Sequence, residues 1–220
     1  MSSRIVPSNV NPHEPVAARP ADDLTRIRVA GLLLAAGAAA WAAGTVIVGD
    51  RIQEGIQTLD TVTGMLFVVG LFAFVWTAGA TRGAGEGWTR IVPAGLLVLL
   101  PGAFLLNALS FGYAAHDDFP LWLMILDGCW PLSQLGMLAL GVTVAIEGRY
   151  RGAARLLPLL AGMWFPVTVV AQIFGGSAVS VYVSAAWLLG THAHLGVRLA
   201  LRPGAMTAGR MSRPTRDARP

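Results

Sequence analysis

The sequence predicts an all-α integral membrane protein, a bundle of six transmembrane helices. Three observations carry this expectation. Apolar residues make up 55 % of the 220 residues and charged ones only 13 %, about half the charged share of an ordinary soluble domain. The apolar residues come in unbroken runs near twenty residues long, the length a helix needs to cross a hydrocarbon core of about 30 Å. The basic residues flank those runs. All 16 are Arg, and with the abundant Ala and Gly this composition suggests a GC-rich bacterial genome.

The elements follow in order. Residues 1–24 hold Pro7, Pro12, Pro15 and Pro20 among polar residues and read as a disordered tail. Six apolar runs occupy about 28–48, 61–80, 91–113, 121–146, 156–174 and 177–200, within a transmembrane domain of residues 25–201. Between the first two, residues 50–60 (DRIQEGIQTLD) read as a short interfacial helix or ordered loop. Residues 202–220, rich in Arg, Pro and Gly, read as a second disordered tail. The runs lack the period-2 alternation of barrel strands. A signal peptide is the competing interpretation of the first run, since AGAAAWAAG around Trp41 offers small residues for cleavage. The long polar stretch before that run and its continuation to Val48 argue against it.

Arg placement sets the expected orientation. With the N-terminus inside, the inner segments hold Arg4, Arg19, Arg26, Arg28, Arg82, Arg90, Arg149, Arg151, Arg155, Arg198, Arg202, Arg210, Arg213, Arg216 and Arg219, and the outer segments hold Arg51 alone. This bias predicts a multi-pass protein of the bacterial inner membrane with both termini cytoplasmic. It also argues against nucleic acid as the partner of a chain with net charge +4, because the cations mark topology instead of forming one basic face. The lipid bilayer is the expected partner, with a lipophilic small molecule as a candidate ligand.

An internal repeat adds a second expectation. TRIRVAGLLL at 25–34 matches TRIVPAGLLV at 89–98, and Arg90, Pro93, Pro101 and Asn107 match Arg155, Pro158, Pro166 and Gln172 in one register. Three parallel two-helix repeats about an axis along the membrane normal would produce this pattern. Chance matching in a chain rich in Ala, Gly and Leu is the competing explanation.

Asp127 is the main candidate for chemistry. A carboxylate inside a transmembrane helix costs about 2.5–3.5 kcal/mol on insertion scales, so it should face the bundle interior, be protonated, or both. Asp127, Trp130 and Gln134 are spaced three and four apart and share one helical stripe, which Leu123 extends. Trp122 lies off that stripe and suits an interfacial anchor. Pro131 removes a backbone donor beside the stripe, so a kink is expected there. Asn107 and Gln172 should lie at similar depth and join the cluster, beneath His116, Asp117 and Asp118. Trp164 and Tyr182 are further candidates for an aromatic wall. For all these residues helix packing is the competing role, because amides and acids also bond across helices.

Other chemistry is not indicated. Cys129 is the single cysteine, so no intramolecular disulfide or Cys-x-x-Cys motif exists. His192 and His194 point about 200° apart on a helix and cannot chelate together; they read as interfacial, with one of them facing the bundle and a proton path as the alternative. There is no Walker motif, dinucleotide fingerprint, His-Glu-x-x-His or Gly-x-Ser-x-Gly, and no metal or cofactor is expected.

Three function classes remain. The first binds or moves a small lipophilic or protonated ligand in a cavity around Asp127. The second is a membrane-embedded enzyme on an isoprenoid or lipid, in the manner of a terpene cyclase, with Asp127 as general acid and Trp130, Trp164 and Tyr182 shielding a cation. The third is a structural subunit. Oligomeric state is not legible.

Overall fold

In hydrocarbon every backbone N–H and C=O must find its partner within its own segment, so long apolar runs become helices. The computed structural model describes residues 20–85, 87–147, 150 and 152–205, and among them every regular element is helical. The helices are α1 (Pro20–Val48), α2 (Thr58–Ala80), α3 (Ile91–Ser110), α4 (Leu121–Asp127), α5 (Cys129–Glu147), α6 (Leu157–Gly162), α7 (Trp164–Trp187) and α8 (His194–Leu201). Five stretches, Ala21–Glu54, Thr58–Ala80, Ile91–Ser110, Leu121–Glu147 and Trp164–Leu201, are long and apolar enough to cross a membrane. Outward-facing apolar side chains such as Phe174, 85 % exposed, and Val98, 74 % exposed, fit a lipid solvent.

The last stretch is not straight. As one helix it would separate Trp164 from Ser184 by about 30 Å. Instead the Trp164 indole N–H donates to Ser184 Oγ at 3.0 Å, Ser180 Oγ donates to the Thr168 carbonyl at 3.5 Å, and the Trp187 indole N–H donates to the Leu160 carbonyl at 2.8 Å. The chain therefore folds back at Gly176, whose φ of 74° and ψ of −174° interrupt α7. That backbone conformation is open to glycine and strained for other residues. The result is two antiparallel arms.

Two further interruptions have a common cause. α4 gives way to α5 at Gly128, and α6 to α7 at Met163. Each lies three residues before a proline, Pro131 and Pro166. A proline has no N–H for the carbonyl four residues back and crowds it, which frees the carbonyls of Asp127 and Gly162. The kink expected from Pro131 thus falls at Gly128.

Neighbours in sequence are neighbours in space: α1 packs on α2, α2 on α3, α3 on α5, α5 on α6, and α8 returns to α1. Small residues let the backbones approach, as in membrane helix pairs generally. A Cβ on Gly37 would lie 2.5 Å from the Leu66 carbonyl oxygen, and one on Gly70 2.5 Å from that of Leu33. Gly31 and Gly196 face each other in the same way where α1 crosses α8. The core between the helices is built from Ile27, Leu34, Trp41, Phe67, Phe74, Met137, Leu140, Leu188 and Leu195. Helix α1 supplies several of these, so cleavage within it would strip a wall from the core.

Some expectations change. Helix α1 begins at Pro20, within the tail expected to run to residue 24. Proline at the first turn and Asp22 and Asp23 beside the helix N-terminus suit that start. Residues 1–19 of that tail, and 206–220 of the C-terminal one, lie outside the described residues, while Pro203–Ala205 form a 3-10 turn. The segment 50–60, expected as a short interfacial helix or loop, holds a short 3-10 helix over Gly49–Glu54, and its last residues already belong to α2. His192 is fully buried instead of interfacial, in a π-helical turn over Leu188–Ala193, edge-on to the Phe67 ring. The wider π turn alters the rotation per residue. His194 lies outside the core and accepts a hydrogen bond from Arg198.

Candidate functional site

A cavity of about 320 Å³ opens where the α1–α2 and α3–α4 connections meet. It is lined by Trp41 of α1, Ile52, Asp60 and Gly64 of the α1–α2 hairpin, Leu106 and Asn107 of α3, His116, Asp127 of α4, Trp130, Pro131 and Gln134 of α5, and Trp164 and Phe165 of α7. Its size is at the small end of ordinary ligand pockets. A smaller pocket of about 80 Å³ shares Ile52, Asp60, Leu106, Asn107 and His116 with it and lies under the two connections. Those connections are tied together by the Ile56 N–H donating to the Ala114 carbonyl at 3.0 Å. The Phe119 ring packs on both Tyr113 and His116, holding the His116 turn over the cavity.

Asp60 stands in the first turn of α2, where the helix N-terminus favours a negative charge. Its Oδ1 accepts hydrogen bonds from the Trp41 indole at 3.0 Å and from Thr45 Oγ1 at 3.3 Å. Trp41 is thereby fixed in place. Its ring lies 5.3 Å from that of Trp130 and 5.1 Å from that of Trp164, centroid to centroid. Trp164 is fixed in turn by Ser184. Three indoles thus form one rigid aromatic group along the cavity.

The polar groups opposite are less satisfied. Gln134 is 1 % exposed, and neither its Oε1 nor its Nε2 has a protein partner. Asn107 Nδ2 is likewise buried without one. Leaving such groups unpaired costs about 1–3 kcal/mol each. Asp127 is half-buried. No Arg is among the described lining residues, and His116 is the one basic side chain among them.

The structure brings together Asp127, Trp130, Gln134, Asn107 and Trp164 of the residues singled out from sequence, with His116 above them. Leu123, the extension of the Asp127 stripe, is buried, and Trp122 is exposed. Gln172 and Tyr182 are not part of the cavity. Both are exposed. Tyr182 lies between Ser180 and Ser184, which face the opposite arm, so it points outward. Gln172 sits one turn before the reversal at Gly176. The repeat register equated Gln172 with Asn107, and the two amides stand in unlike surroundings. No equivalence of the three hairpins is therefore evident at these positions.

Sequence reasoning missed Asp60, Trp41, Gly64 and Phe165 as site residues. A signal existed for the first two. In a hairpin that turns near Asp50, residues equidistant from the turn are neighbours, and Trp41 and Asp60 are nearly so. The apolar run starts at residue 61 and puts Asp60 in the preceding interfacial helix or loop, whereas α2 begins at Thr58.

Among the described residues no group of three or more His, Cys, Asp or Glu side chains is placed to hold a metal ion. Comparison with protein-family models, with curated proteins and with solved structures finds no match to this chain.

Proposed function

We infer that this is a six-helix protein of the bacterial inner membrane, with both termini cytoplasmic, that binds or moves a small lipophilic or protonated ligand in the cavity around Asp127. The Arg distribution supports the orientation. The reversal at Gly176 supports six crossings, because it turns the fifth apolar stretch into two arms. Reporter fusions after Arg82, after Arg151 and at the C-terminus should read cytoplasmic, and one at Asp117 external. A C-terminal fusion that reports outside overturns the six-helix arrangement.

The observation that carries the ligand is Gln134, a buried amide with both polar atoms unpartnered beside the cavity. Polar residues that serve only as glue between membrane helices bond across the helix contact. Gln134 does not, which favours a ligand site over a purely structural subunit. The enzyme alternative keeps Asp127, Trp130 and Trp164 but loses Tyr182 from its aromatic shield, so the binding function is preferred.

The test is the sign of a stability change. Gln134→Leu replaces orphaned polar atoms by apolar ones of similar size. It should raise the melting temperature of the unliganded protein in detergent by a few degrees, equivalent to about 1 kcal/mol. The same variant should lose the stabilisation that lipophilic amines or neutral lipophiles give the parent. A lower melting temperature in Gln134→Leu, together with no ligand stabilisation of the parent, would assign Gln134 to structure and overturn the ligand site.

A further inference from the structure

Resting on that ligand-binding function, we propose that the occupant is a lipophilic organic cation, a small amine or quaternary ammonium compound, held by Asp127 against the indoles of Trp41, Trp130 and Trp164. Two independent observations meet in the cavity. One is electrostatic: Asp60 and Asp127 both face it, with no Arg among the described lining residues. A positive ligand would give these carboxyl groups a charge partner in a weakly polar site, where such pairing is strongest. The other is the lining itself. The three indole rings form one cluster, with centroids 5.3 and 5.1 Å from that of Trp41, and Gln134 adds a fully buried amide without a protein partner.

The chemistry narrows the class further. An anion would meet two carboxyl groups, with His116 the one basic side chain among the described lining residues. A neutral lipophile would offer neither carboxyl group a charge partner. A hard metal cation would want six or more oxygen ligands, whereas indoles offer it no lone pairs. An organic cation matches each feature. Its charge pairs with the carboxylate, and its apolar body is solvated by aromatic faces through cation–π attraction, which is the known use of aromatic cages.

The two carboxylates divide the work. Asp60 is already engaged, by the Trp41 indole and by Thr45. Its hydrogen bond draws positive charge toward the indole N–H and leaves the Trp41 ring richer in electrons, which strengthens its pull on a cation. Asp127 makes no hydrogen bond to another described residue and lies beside Trp130 on the stripe they share. Asp127 is therefore the contact counter-ion, and Asp60 a positioning residue. The tethers of Trp41 to Asp60 and of Trp164 to Ser184 order the rings before the ligand arrives, which lowers the entropic cost of binding.

Three probes that share a benzyl group test the proposal: benzyltrimethylammonium, its neutral carbon isostere neopentylbenzene, and the smaller anion phenylacetate. Each is titrated into the full chain in phosphatidylcholine nanodiscs, with protein-free discs as the blank, and tryptophan fluorescence is the readout. The cation should bind at least about tenfold more tightly than the neutral isostere, and the anion should not bind. Trp130→Leu should weaken the cation by about tenfold and change the neutral probe by less than about twofold, while Trp130→Phe retains part of the preference. The ratio in the parent decides the matter even if a variant fails to fold. Equal binding of the cation and its isostere, or preference for the anion, overturns the charge assignment and leaves a ligand cavity standing. Failure of all three probes, with no response to lipophilic amines of other shapes, overturns the cavity function as well.

Discussion

Replacing Gly196 with Leu should abolish the folded protein. A Cβ on Gly196 would lie 2.5 Å from both the Gly31 carbonyl oxygen and the Ala35 amide nitrogen, and 2.9 Å from the Ala35 Cα. These are backbone atoms of α1, and they cannot swing aside as a side chain would. The two helices would have to separate, and with them the returning arm that closes the bundle on α1. Overpacking of this kind costs at least about 3 kcal/mol. The expected result is little monodisperse protein after extraction and a large fall in melting temperature for what remains. Gly95→Ala is the control. A Cβ there meets nothing within 4 Å, so it should change stability by less than about 1 kcal/mol, toward greater stability because alanine favours the helix. Equal stability of the two variants would contradict the α1–α8 crossing.

Asp127→Asn should separate folding from function. The residue is half-buried, and no hydrogen bond holds its side chain to the described residues. Asparagine has nearly the same shape and removes a charge that costs energy inside a membrane. Expression, insertion and melting temperature should therefore match or exceed the parent. Binding of benzyltrimethylammonium should weaken by about a hundredfold, within the cost of removing one partner of a desolvated charge pair. Transport coupled to that binding should fall with it. Undiminished affinity in a well-folded Asp127→Asn would reject Asp127 as the counter-ion. The contrast with Gly196→Leu is informative: one variant loses structure through a contact of backbone on backbone, the other loses chemistry with its structure intact.

The structure also explains why the site gathers at one end of the bundle. Trp41 precedes the α1–α2 turn, Asp60 follows it, Asn107 precedes the α3–α4 turn, and Asp127 follows that one. Apolar helices joined by short connections bring such residues to a common level. The proline-induced break at Gly128 then gives the Asp127–Trp130–Gln134 wall its bend.

The sequence by itself determined the helical class, the presence of runs long and apolar enough to cross a membrane, and several of the helix ends. Each follows from a one-dimensional quantity: the length of an apolar run, the scarcity of charge, the presence of a proline. The stripe of Asp127, Trp130 and Gln134 was legible for the same reason, since the helical period fixes which residues share a face. Only the tertiary structure decided which faces meet. It joined Asp60 to Trp41 across a hairpin, put Asn107 in the cavity and Gln172 on the surface despite their matching register, and buried His192 through a π turn. Those outcomes depend on helix rotation and crossing, which are set by backbone contacts at Gly31, Gly37, Gly70 and Gly196. A contact between two helices is a property of both surfaces at once, and no run, period or count along one strand of sequence contains it.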